Sequence, residues 1–347
     1  MTIDSNDIEV ARAIANEIKS AQKVVLTCHT NADGDALGST LGMKRIITNM
    51  GKHAEVITPD LAPTIYSWMP GFKTLHAYER EQADCDKMID EADLIVMMDF
   101  NDLKRIKSLG EKICSVEGKR SVLIDHHLDP IFTADVMYSR PQASATCEIA
   151  FRALLATELK DYVDETAATL FYTGIVTDTG GLSYNSSSPE LYELVAEILR
   201  YGIDKVKIHD KIFNNKSVRR LKLNGFAIEK KLHRIEKLPV SIMVLTDFDL
   251  QKYNYKTGDT EGLVNVPLQV KDIMVSCLIM ERPDCIKISL RSKGDFPVNE
   301  FSARYFGGGG HLNAAGGSYD GTIEEATEIY RKNIVTFYHE WAERQSK

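Results

Sequence analysis

The 347-residue chain has no apolar run that approaches the roughly 18 residues needed to cross a membrane. Its first seven residues, Met1 to Asp7, are polar and acidic, so this stretch is not a secretion signal peptide. The chain has no Cys-x-x-Cys pair among its 6 cysteines, several of which lie in apolar surroundings. Buried free thiols in a reducing compartment explain such cysteines better than disulfides or zinc ligands do. We therefore predict a cytoplasmic protein without a membrane partner.

The chain also has no excess of basic residues. Its 42 Lys and Arg against 50 Asp and Glu give a formal net charge of -8 at pH 7. Broad binding to long nucleic acid usually requires a basic stripe, so long double-stranded nucleic acid is not an expected partner. A small anionic substrate is compatible with this charge if metal ions and a few Arg or Lys residues supply positive charge locally.

Apolar runs that alternate with helical patterns indicate an α/β fold. Three near-continuous apolar runs, at 24–26, 94–98 and 122–124, are typical of parallel strands buried on both faces of a sheet. Helical spacing is found at 8–20, 35–50 and 165–177. Strands and helices in this alternation form βαβ units with right-handed crossovers.

The length of the chain and its 44% hydrophobic content predict two domains. We place a catalytic domain at residues 1–200, a helical linker at 201–235 and a second domain at 236–347. The second domain should contain strands at 240–245, 273–280 and 286–290, followed by a long helix at 322–344.

Each of the three apolar strands of the first domain ends in carboxylates or imidazoles. The residues are His29, Asp33 and Asp35 after the first strand, Asp99 after the second, and Asp125, His126 and His127 at the end of the third. In open α/β sheets, ligands bind beyond the carboxyl ends of the strands. Mixed Asp and His ligands suit divalent cations. The alternatives are that Asp33 or Asp35 only caps the next helix, and that the two histidines form a structural pair.

Asp178 lies at the end of the helix predicted at 165–177. A carboxylate at this end faces the negative pole of the helix dipole, which is unfavourable unless a cation compensates it. The alternative is a solvated loop aspartate.

A second cluster of functional residues surrounds four consecutive glycines, Gly307 to Gly310, which are followed by His311. Such a run costs backbone entropy, and a backbone whose N–H groups approach an anion would explain it. The alternative is a flexible loop. No Gly-Lys-Ser/Thr follows, so the run is not a P-loop. Arg291 ends an alternating strand and could clamp an anion there, or it could lie on a solvated face.

In combination these motifs resemble the DHH phosphoesterase superfamily. The matching residues, in the order of the chain, are His29-x3-Asp33-x-Asp35, Asp99, Asp125-His126-His127 and the run Thr177-Asp178-Thr179-Gly180. The Gly307–His311 run with Ala314-Ala315-Gly316 is similar to the DHH-associated C-terminal domain. The resemblance covers nearly the whole chain and is strongest to the nanoRNase and pAp-phosphatase subgroup, which the run 260–265 also resembles.

Two positions depart from the pattern of that superfamily. Ala32 lies where many relatives have proline, and Leu182-Ser183 lies where an aromatic and a larger polar residue are expected. The second difference could alter substrate preference, and neither removes a metal ligand.

The resemblance implies an N-terminal parallel-sheet domain with helices on both faces, a smaller C-terminal α/β domain and an active site in the cleft between them. It also implies two Mn²⁺ ions, with Mg²⁺ or Co²⁺ as alternatives. His29, Asp33 and Asp99 would hold one ion, and Asp35, Asp99, His126 and Asp178 the other. Asp125 would orient an imidazole, and His127 would face the substrate phosphate. The substrate-binding residues implied are Arg291, Ser292, Gly308, Gly309, Gly310 and His311.

The activity implied by the resemblance is hydrolysis of short oligoribonucleotides to mononucleotides and of pAp to AMP, with pApA as a related substrate. The partner would be short single-stranded RNA or a nucleotide, and the resemblance allows a homodimer. A manganese-dependent inorganic pyrophosphatase and a single-strand-specific exonuclease are alternatives. A nucleotide-binding regulator with an inactive site is a third, but it would be indicated by a missing ligand, and none is missing.

Overall fold

The computed structural model describes residues 5–235 and 237–345. The chain divides into two compact units, which meet in sequence at Asn215 and Lys216, within the stretch predicted as a linker. Residues 1–4, part of the stretch in which we expected no signal peptide, lie outside the described residues. No helix in the described ranges is long and apolar enough to span a membrane. All six cysteines are free thiols, as predicted.

The first unit is built on a six-stranded sheet in which every neighbouring pair is parallel. Its strands are β1 (Lys23–Thr27), β2 (His53–Thr58), β3 (Leu75–Ala77), β4 (Leu94–Met98), β5 (Arg120–Asp125) and β6 (Val136–Ser139). Their order is β3-β2-β1-β4-β5-β6, so the direction of winding reverses between β1 and β4. This confirms the predicted parallel sheet, to which the structure adds the short edge strands β3 and β6.

Eight helices of the described residues belong to the first unit. They are α1 (Ser5–Ser20), α2 (Gly34–Asn49), α3 (Tyr78–Glu91), α4 (Ser108–Ser115), α5 (Thr146–Leu155), α6 (Glu165–Asp178), α7 (Pro189–Leu199) and α8 (Lys205–Phe213). Successive side chains of a strand point to opposite faces of the sheet. Leu26 and Val96 pack into a core with α1, α2, α5 and α6, whereas Val25 and Ile95 pack into a second core with α3 and α4. Helices therefore cover both faces, as predicted.

The second unit contains a six-stranded mixed sheet with the order β11-β12-β10-β9-β8-β7. Its strands are β7 (His233–Arg234), β8 (Val240–Leu245), β9 (Val275–Glu281), β10 (Ile286–Ser292), β11 (Gly309–His311) and β12 (Ala314–Tyr319). Only β8 and β9 pair in parallel among these described strands. The helices are α9 (Val218–Phe226), α10 (Asp247–Lys252), α11 (Val298–Phe306) and α12 (Ile323–Gln345), and a π-helical turn spans Ala227–Lys231.

The second sheet also has a core on each face. Ile242 and Ile288 pack with Phe301 of α11 and Tyr330 of α12, while Met243 on the opposite face belongs to a cluster with α9 and α10. The second unit is therefore the smaller α/β domain that the sequence predicts.

Candidate active site

The acidic and imidazole residues of the first unit meet where the sheet reverses its direction of winding. His29 follows β1, Asp99 directly follows β4, and His126 directly follows β5. Because these strands are parallel neighbours, their carboxyl ends lie at one edge of the sheet. In open α/β folds this reversal leaves a crevice, which is the usual place for a ligand.

The first cluster of candidate ligands is formed by His29, Asp33 and Asp99. The His29 Nε2 atom lies 3.4 Å from Asp99 Oδ2 and 3.9 Å from Asp33 Oδ2. One ligand atom from each residue lies within 4.8 Å of the others, which is the spacing of groups that can share one ion.

The second cluster surrounds the His126 Nε2 atom. It lies 3.5 Å from Asp99 Oδ1, 3.9 Å from Asp35 Oδ2 and 3.4 Å from Asp178 Oδ2. The structure thus brings together the four residues that the resemblance implied as ligands of a second ion. Asp178 ends α6, and its side chain is 28% exposed, whereas those of Asp35 and Asp99 are 1% and 2% exposed.

Asp99 is shared by the two clusters, and it presents a different oxygen to each. Oδ2 faces His29, whereas Oδ1 faces His126. Its backbone has φ 66°, in the left-handed region that aspartate occupies more readily than most residues. Strained backbone of this kind clusters at functional sites. The position is therefore suited to a carboxylate that bridges two ions.

Asp33 caps α2, and the geometry leaves its second carboxylate oxygen near the first cluster. Its Oδ1 atom accepts hydrogen bonds from the backbone N–H groups of Asp35 and Ala36, at 2.9 and 3.0 Å, and so caps α2. Its Oδ2 atom is the one that lies near His29. The cap therefore fixes the carboxylate and leaves one oxygen directed at the first cluster.

Close packing of α2 against α6 brings Asp35 and Asp178 to one centre. Gly174 of α6 lies at this contact, where an added Cβ atom would overlap Cys147 Sγ and lie 2.8 Å from Asp35 Oδ1. A side chain at position 174 would therefore push the Asp35 carboxylate out of its place.

The electrostatics of the centre indicate an excess of buried negative charge. Burial raises the pKa of Asp35 to about 7, and the Asp99 carboxylate adds to this shift. Burial alone would lower the pKa of His29, but the hydrogen bond and charge of Asp99, together with Asp33, raise it to about 9. In His126, burial is likewise outweighed by the carboxylates around it, Asp178 first, and the pKa rises to about 9.

These donors fit divalent cations. The set consists of carboxylates and imidazoles without a thiolate, the ligands that Mn²⁺, Mg²⁺ and Co²⁺ accept. Bound cations would replace the protons that the buried carboxylates and imidazoles otherwise need to balance their charges. That these six residues are the ligands remains our prediction.

Sequence reasoning missed Thr146, the first residue of α5. Its backbone N–H donates to Asp35 Oδ2 at 2.6 Å, and its hydroxyl donates to Asp99 Oδ1 at 3.0 Å. The Cys147 N–H donates to Asp35 Oδ1 at 2.9 Å. The start of α5 therefore holds the buried carboxylates of both Asp35 and Asp99. A sequence signal existed, because Ser144 is followed four residues later by Glu148 before an apolar run, a pattern close to a helix-capping box.

A Thr146→Val variant should bind Mn²⁺ about 10- to 100-fold more weakly, because residues that orient metal ligands contribute on this order to affinity. Valine keeps the shape and the N–H group but removes the hydroxyl that orients Asp99. Isothermal titration calorimetry of the metal-stripped protein measures the effect, with Thr146→Ser as the matched control that retains the hydroxyl. Equal affinities of the Val and Ser variants would contradict this role.

Asp125 and His127 form a separate hydrogen-bonded pair beside the centre. The His127 Nδ1 atom lies 2.7 Å from Asp125 Oδ1 and 3.7 Å from Asp99 Oδ1. Asp125 is fully buried, and no described residue offers its Oδ2 atom a hydrogen bond. The resemblance implied that Asp125 orients an imidazole, and the imidazole that it contacts is that of His127.

The second unit contains the residues predicted to bind substrate. Arg291 lies in β10, where its Nη1 atom donates to the Leu290 carbonyl oxygen at 2.9 Å. The buried Ser292 hydroxyl donates to the Phe296 carbonyl oxygen at 2.7 Å and accepts from Asn313 Nδ2 at 2.8 Å. Ser292, which is predicted to bind substrate, thus also stabilises the turn that follows β10.

The glycine run is not a flexible loop. Gly309, Gly310 and His311 form β11, which pairs with β12 and is the edge strand of the described sheet. An added Cβ atom at Gly308 would overlap the Gly316 carbonyl oxygen, and one at Gly310, whose φ is 137°, would overlap that of Ala314. Glycine is needed here because two backbones approach closely.

The family follows from comparison with known proteins. Residues 23–175 match the model of the DHH family, N-terminal domain, and residues 238–336 match that of the DHHA1 domain. The chain belongs to the DHH family of phosphoesterases. It is therefore an enzyme, a hydrolase of phosphodiester or phosphate bonds, as the motifs predicted.

Three relatives illustrate the similarity. A Streptococcus mutans protein named "Probable bifunctional oligoribonuclease and PAP phosphatase NrnA" is 27% identical over 93% of this chain and 98% of its own length. The bifunctional oligoribonuclease and PAP phosphatase NrnA of Thermus thermophilus is 26% identical over 94% and 95%. The crystal structure of an exopolyphosphatase-related protein from Bacteroides fragilis superposes with a TM-score of 0.91, at 38% identity, over 95% and 96%.

Proposed function

We propose that the enzyme hydrolyses short oligoribonucleotides to mononucleotides and pAp to AMP, with pApA as a further substrate. The observation that carries this proposal is the pair of clusters that share Asp99 at the reversal point of the sheet. Support for the substrate class comes from the relatives named NrnA, which match along nearly their whole length. Short single-stranded RNA or a nucleotide is the partner that this proposal requires.

We infer that the cofactor is a pair of Mn²⁺ ions, with Mg²⁺ or Co²⁺ as alternatives, since the donors are carboxylates and imidazoles. His29, Asp33 and Asp99 would hold one, and Asp35, Asp99, His126 and Asp178 the other. Such ions supply Lewis-acid activation of water and neutralise charge on a phosphoryl group. The residues of the chain itself have two tasks. Thr146 holds the Asp35 and Asp99 carboxylates in place, and Asp125 orients the His127 ring beside the phosphate.

Arg291, Ser292, Gly308, Gly309, Gly310 and His311 are the residues that we propose to bind the nucleotide. An arginine and a histidine provide donors for phosphate oxygens, and the edge of β11 provides backbone N–H groups. The cytoplasmic location and the homodimer stay predictions of the sequence.

Removal of metal should abolish activity, and Mn²⁺ should restore it better than Zn²⁺ because the site lacks the thiolates that favour zinc. The measurement is hydrolysis of pAp by EDTA-treated protein after each ion is added back. Full activity of the chelated protein would contradict metal dependence, and stronger recovery with Zn²⁺ would contradict the assignment of manganese.

Hydrolysis should be fastest for RNA of about two to five nucleotides and should fall steeply for long RNA, because the net charge of -8 disfavours non-specific binding of a long strand. The measurement is kcat/KM for a dinucleotide, a pentanucleotide and a 24-nucleotide RNA at one salt concentration. Equal values for the shortest and the longest RNA would instead indicate a single-strand exonuclease.

One panel of substrates separates the remaining alternatives. It contains pAp, pApA, a five-nucleotide RNA, pyrophosphate and cyclic-di-AMP, each assayed with Mn²⁺. Turnover of pyrophosphate alone would indicate an inorganic pyrophosphatase. Binding of a nucleotide without turnover of any substrate would indicate a regulator with an inactive site.

A further inference from the structure

Arg105 is a half-buried arginine to which the proposed mechanism gives no task. It lies in a 3₁₀ turn, Leu103–Ile106, that follows β4 and Asp99. Its Nη1 atom lies 2.7 Å from His127 Nε2, which is a normal hydrogen-bonding distance. The His127 ring is itself near the shared carboxylate of Asp99, so only one imidazole ring separates the guanidinium from the centre.

Hydrogen bonds at both ring nitrogens of His127 define the tautomer of its ring. Asp125 is a buried carboxylate that accepts, so the His127 Nδ1 atom carries the hydrogen. Arginine only donates, so the His127 Nε2 atom is the acceptor of the bond from Arg105. The ring is therefore fixed at both nitrogens, by Asp125 at the end of β5 and by Arg105 in the 3₁₀ turn after β4.

Among the described residues, Arg105 has no carboxylate partner, whereas Arg45 and Arg152 of the first unit each have one. Arg45 pairs with Asp164, and Arg152 pairs with Glu148. Within the described residues, no carboxylate oxygen lies within 4.0 Å of the Arg105 guanidinium. A guanidinium has five N–H donors, and the bond to His127 uses only one of them. The other donors are suited to an anion.

The backbone that carries Arg105 is held firmly. Asp102 caps the turn by accepting from the Lys104 N–H at 2.9 Å, and Ile106 anchors it in the core. The Arg105 carbonyl oxygen accepts from the Thr30 N–H at 2.9 Å, which ties the turn to the loop that carries His29. A preorganised cation of this kind costs little reorganisation when an anion binds.

The charge balance of the metal centre also favours a cation at the position of Arg105. Two divalent ions would balance the four aspartates proposed as ligands, so an incoming phosphate would bring negative charge that these ions leave uncompensated. Arginine is suited to offset it, because its planar fork matches two oxygens of a phosphate.

We propose that Arg105 binds the phosphoryl group that undergoes hydrolysis, using donors that its bond to His127 leaves over, and that this bond fixes the orientation of the His127 ring beside that group. This inference rests on the proposed function, because it assumes that the centre hydrolyses a phosphate ester. It assigns Arg105 to the phosphoryl group common to every substrate, whereas Arg291 and His311 are proposed to bind the nucleotide.

The test compares pApA with an artificial diester, bis-p-nitrophenyl phosphate, which has no nucleoside. Arg105→Ala should lower kcat/KM for both substrates by a similar factor of about 10 to 150, the loss expected for one hydrogen bond to a charged group. The decrease should lie mainly in kcat, because the contact strengthens as charge develops on the phosphoryl oxygens. Arg105→Lys should recover part of the loss, since it keeps the charge without the fork.

The matched control is Arg120→Ala, which removes an exposed arginine at the opposite end of β5 from Asp125 and should leave both rates unchanged. If Arg105→Ala hydrolyses both substrates within about threefold of the wild-type rate, the proposal is wrong. A loss confined to pApA would also overturn it, because Arg105 would then bind the nucleotide and not the reacting phosphate. Thermal melts of all variants check that they fold.

A second measurement keeps this inference separate from the proposed function. Isothermal titration of Mn²⁺-loaded protein with inorganic phosphate needs no turnover, and it should show at least about 10-fold weaker binding by Arg105→Ala. If the wild-type protein hydrolyses none of the substrates, the proposed function fails, and the phosphate affinities still decide the task of Arg105. Equal phosphate affinities of the wild-type protein and Arg105→Ala, or no phosphate binding by the wild-type protein, would overturn the proposed role of Arg105.

Discussion

An Asp99→Asn variant should lose about 10³-fold or more in kcat even when Mn²⁺ is saturating. The asparagine has one oxygen in place of two and no negative charge, so it cannot bridge the two clusters that Asp99 faces with Oδ1 and Oδ2. Asparagine tolerates the left-handed backbone found at this position, so the substitution should not prevent folding. The measurement is single-turnover hydrolysis of pAp, with bound metal counted by elemental analysis.

The matched control for this variant is Asp93→Asn. Asp93 precedes β4, at the opposite end from Asp99, and its Oδ2 atom accepts from the backbone N–H groups of Gln22 and Lys23. The amide oxygen of asparagine can still accept these bonds, so kcat should stay near that of the wild-type protein. Near-normal turnover by metal-replete Asp99→Asn protein would rule out a two-ion centre bridged by Asp99.

The first sheet shows which strands a sequence can predict. β1, β4 and β5 lie in the middle of the sheet, and their apolar runs are typical of strands that are buried on both faces. β3 and β6 are the edge strands, and only one residue of each is fully buried. A strand with so little burial leaves no periodic signal, so the sequence pattern does not predict β3 or β6.

The same reasoning explains which site residues were predicted. Residues at the ends of parallel strands must meet at one edge, so the convergence of His29, Asp99 and His126 follows from the order of the strands. The partners of Thr146 and Arg105 depend on tertiary contacts instead. Thr146 lies 47 residues from Asp99, and Arg105 lies 22 residues from His127. The spacing of residues along the sequence does not predict a hydrogen bond between residues so far apart.

The glycine run shows a different limit. Four glycines in sequence are compatible with a flexible loop and with a tightly packed backbone, and composition alone does not distinguish them. The pairing of β11 with β12 decides for tight packing, because Gly308 and Gly310 lie where a side chain would overlap the backbone of β12. That the run binds an anion remains a prediction, and it is the subject of the last experiment.

The double variant Arg291→Ala, His311→Ala should lose about 10²- to 10⁴-fold in kcat/KM for pApA. Each lost hydrogen bond to a charged group is worth roughly 1.5–3 kcal/mol, or about 10- to 150-fold, and the two losses add if the contacts are independent. Binding of Mn²⁺ should be unchanged, because the proposed metal ligands all belong to the first unit. Hydrolysis of bis-p-nitrophenyl phosphate should fall much less, since this diester has no nucleoside for the second unit to bind.

Lys287→Ala provides the control, because Lys287 is an exposed cation nearer the other end of β10 from Arg291. Its removal should leave kcat/KM for pApA unchanged, which separates loss of a specific contact from loss of positive charge on the second unit. If the double variant hydrolyses pAp and pApA as fast as the wild-type protein, Gly307–His311 is a structural element only. An active site without nucleotide contacts from the second unit would need no nucleoside in its substrate, and the pyrophosphatase alternative would then be favoured.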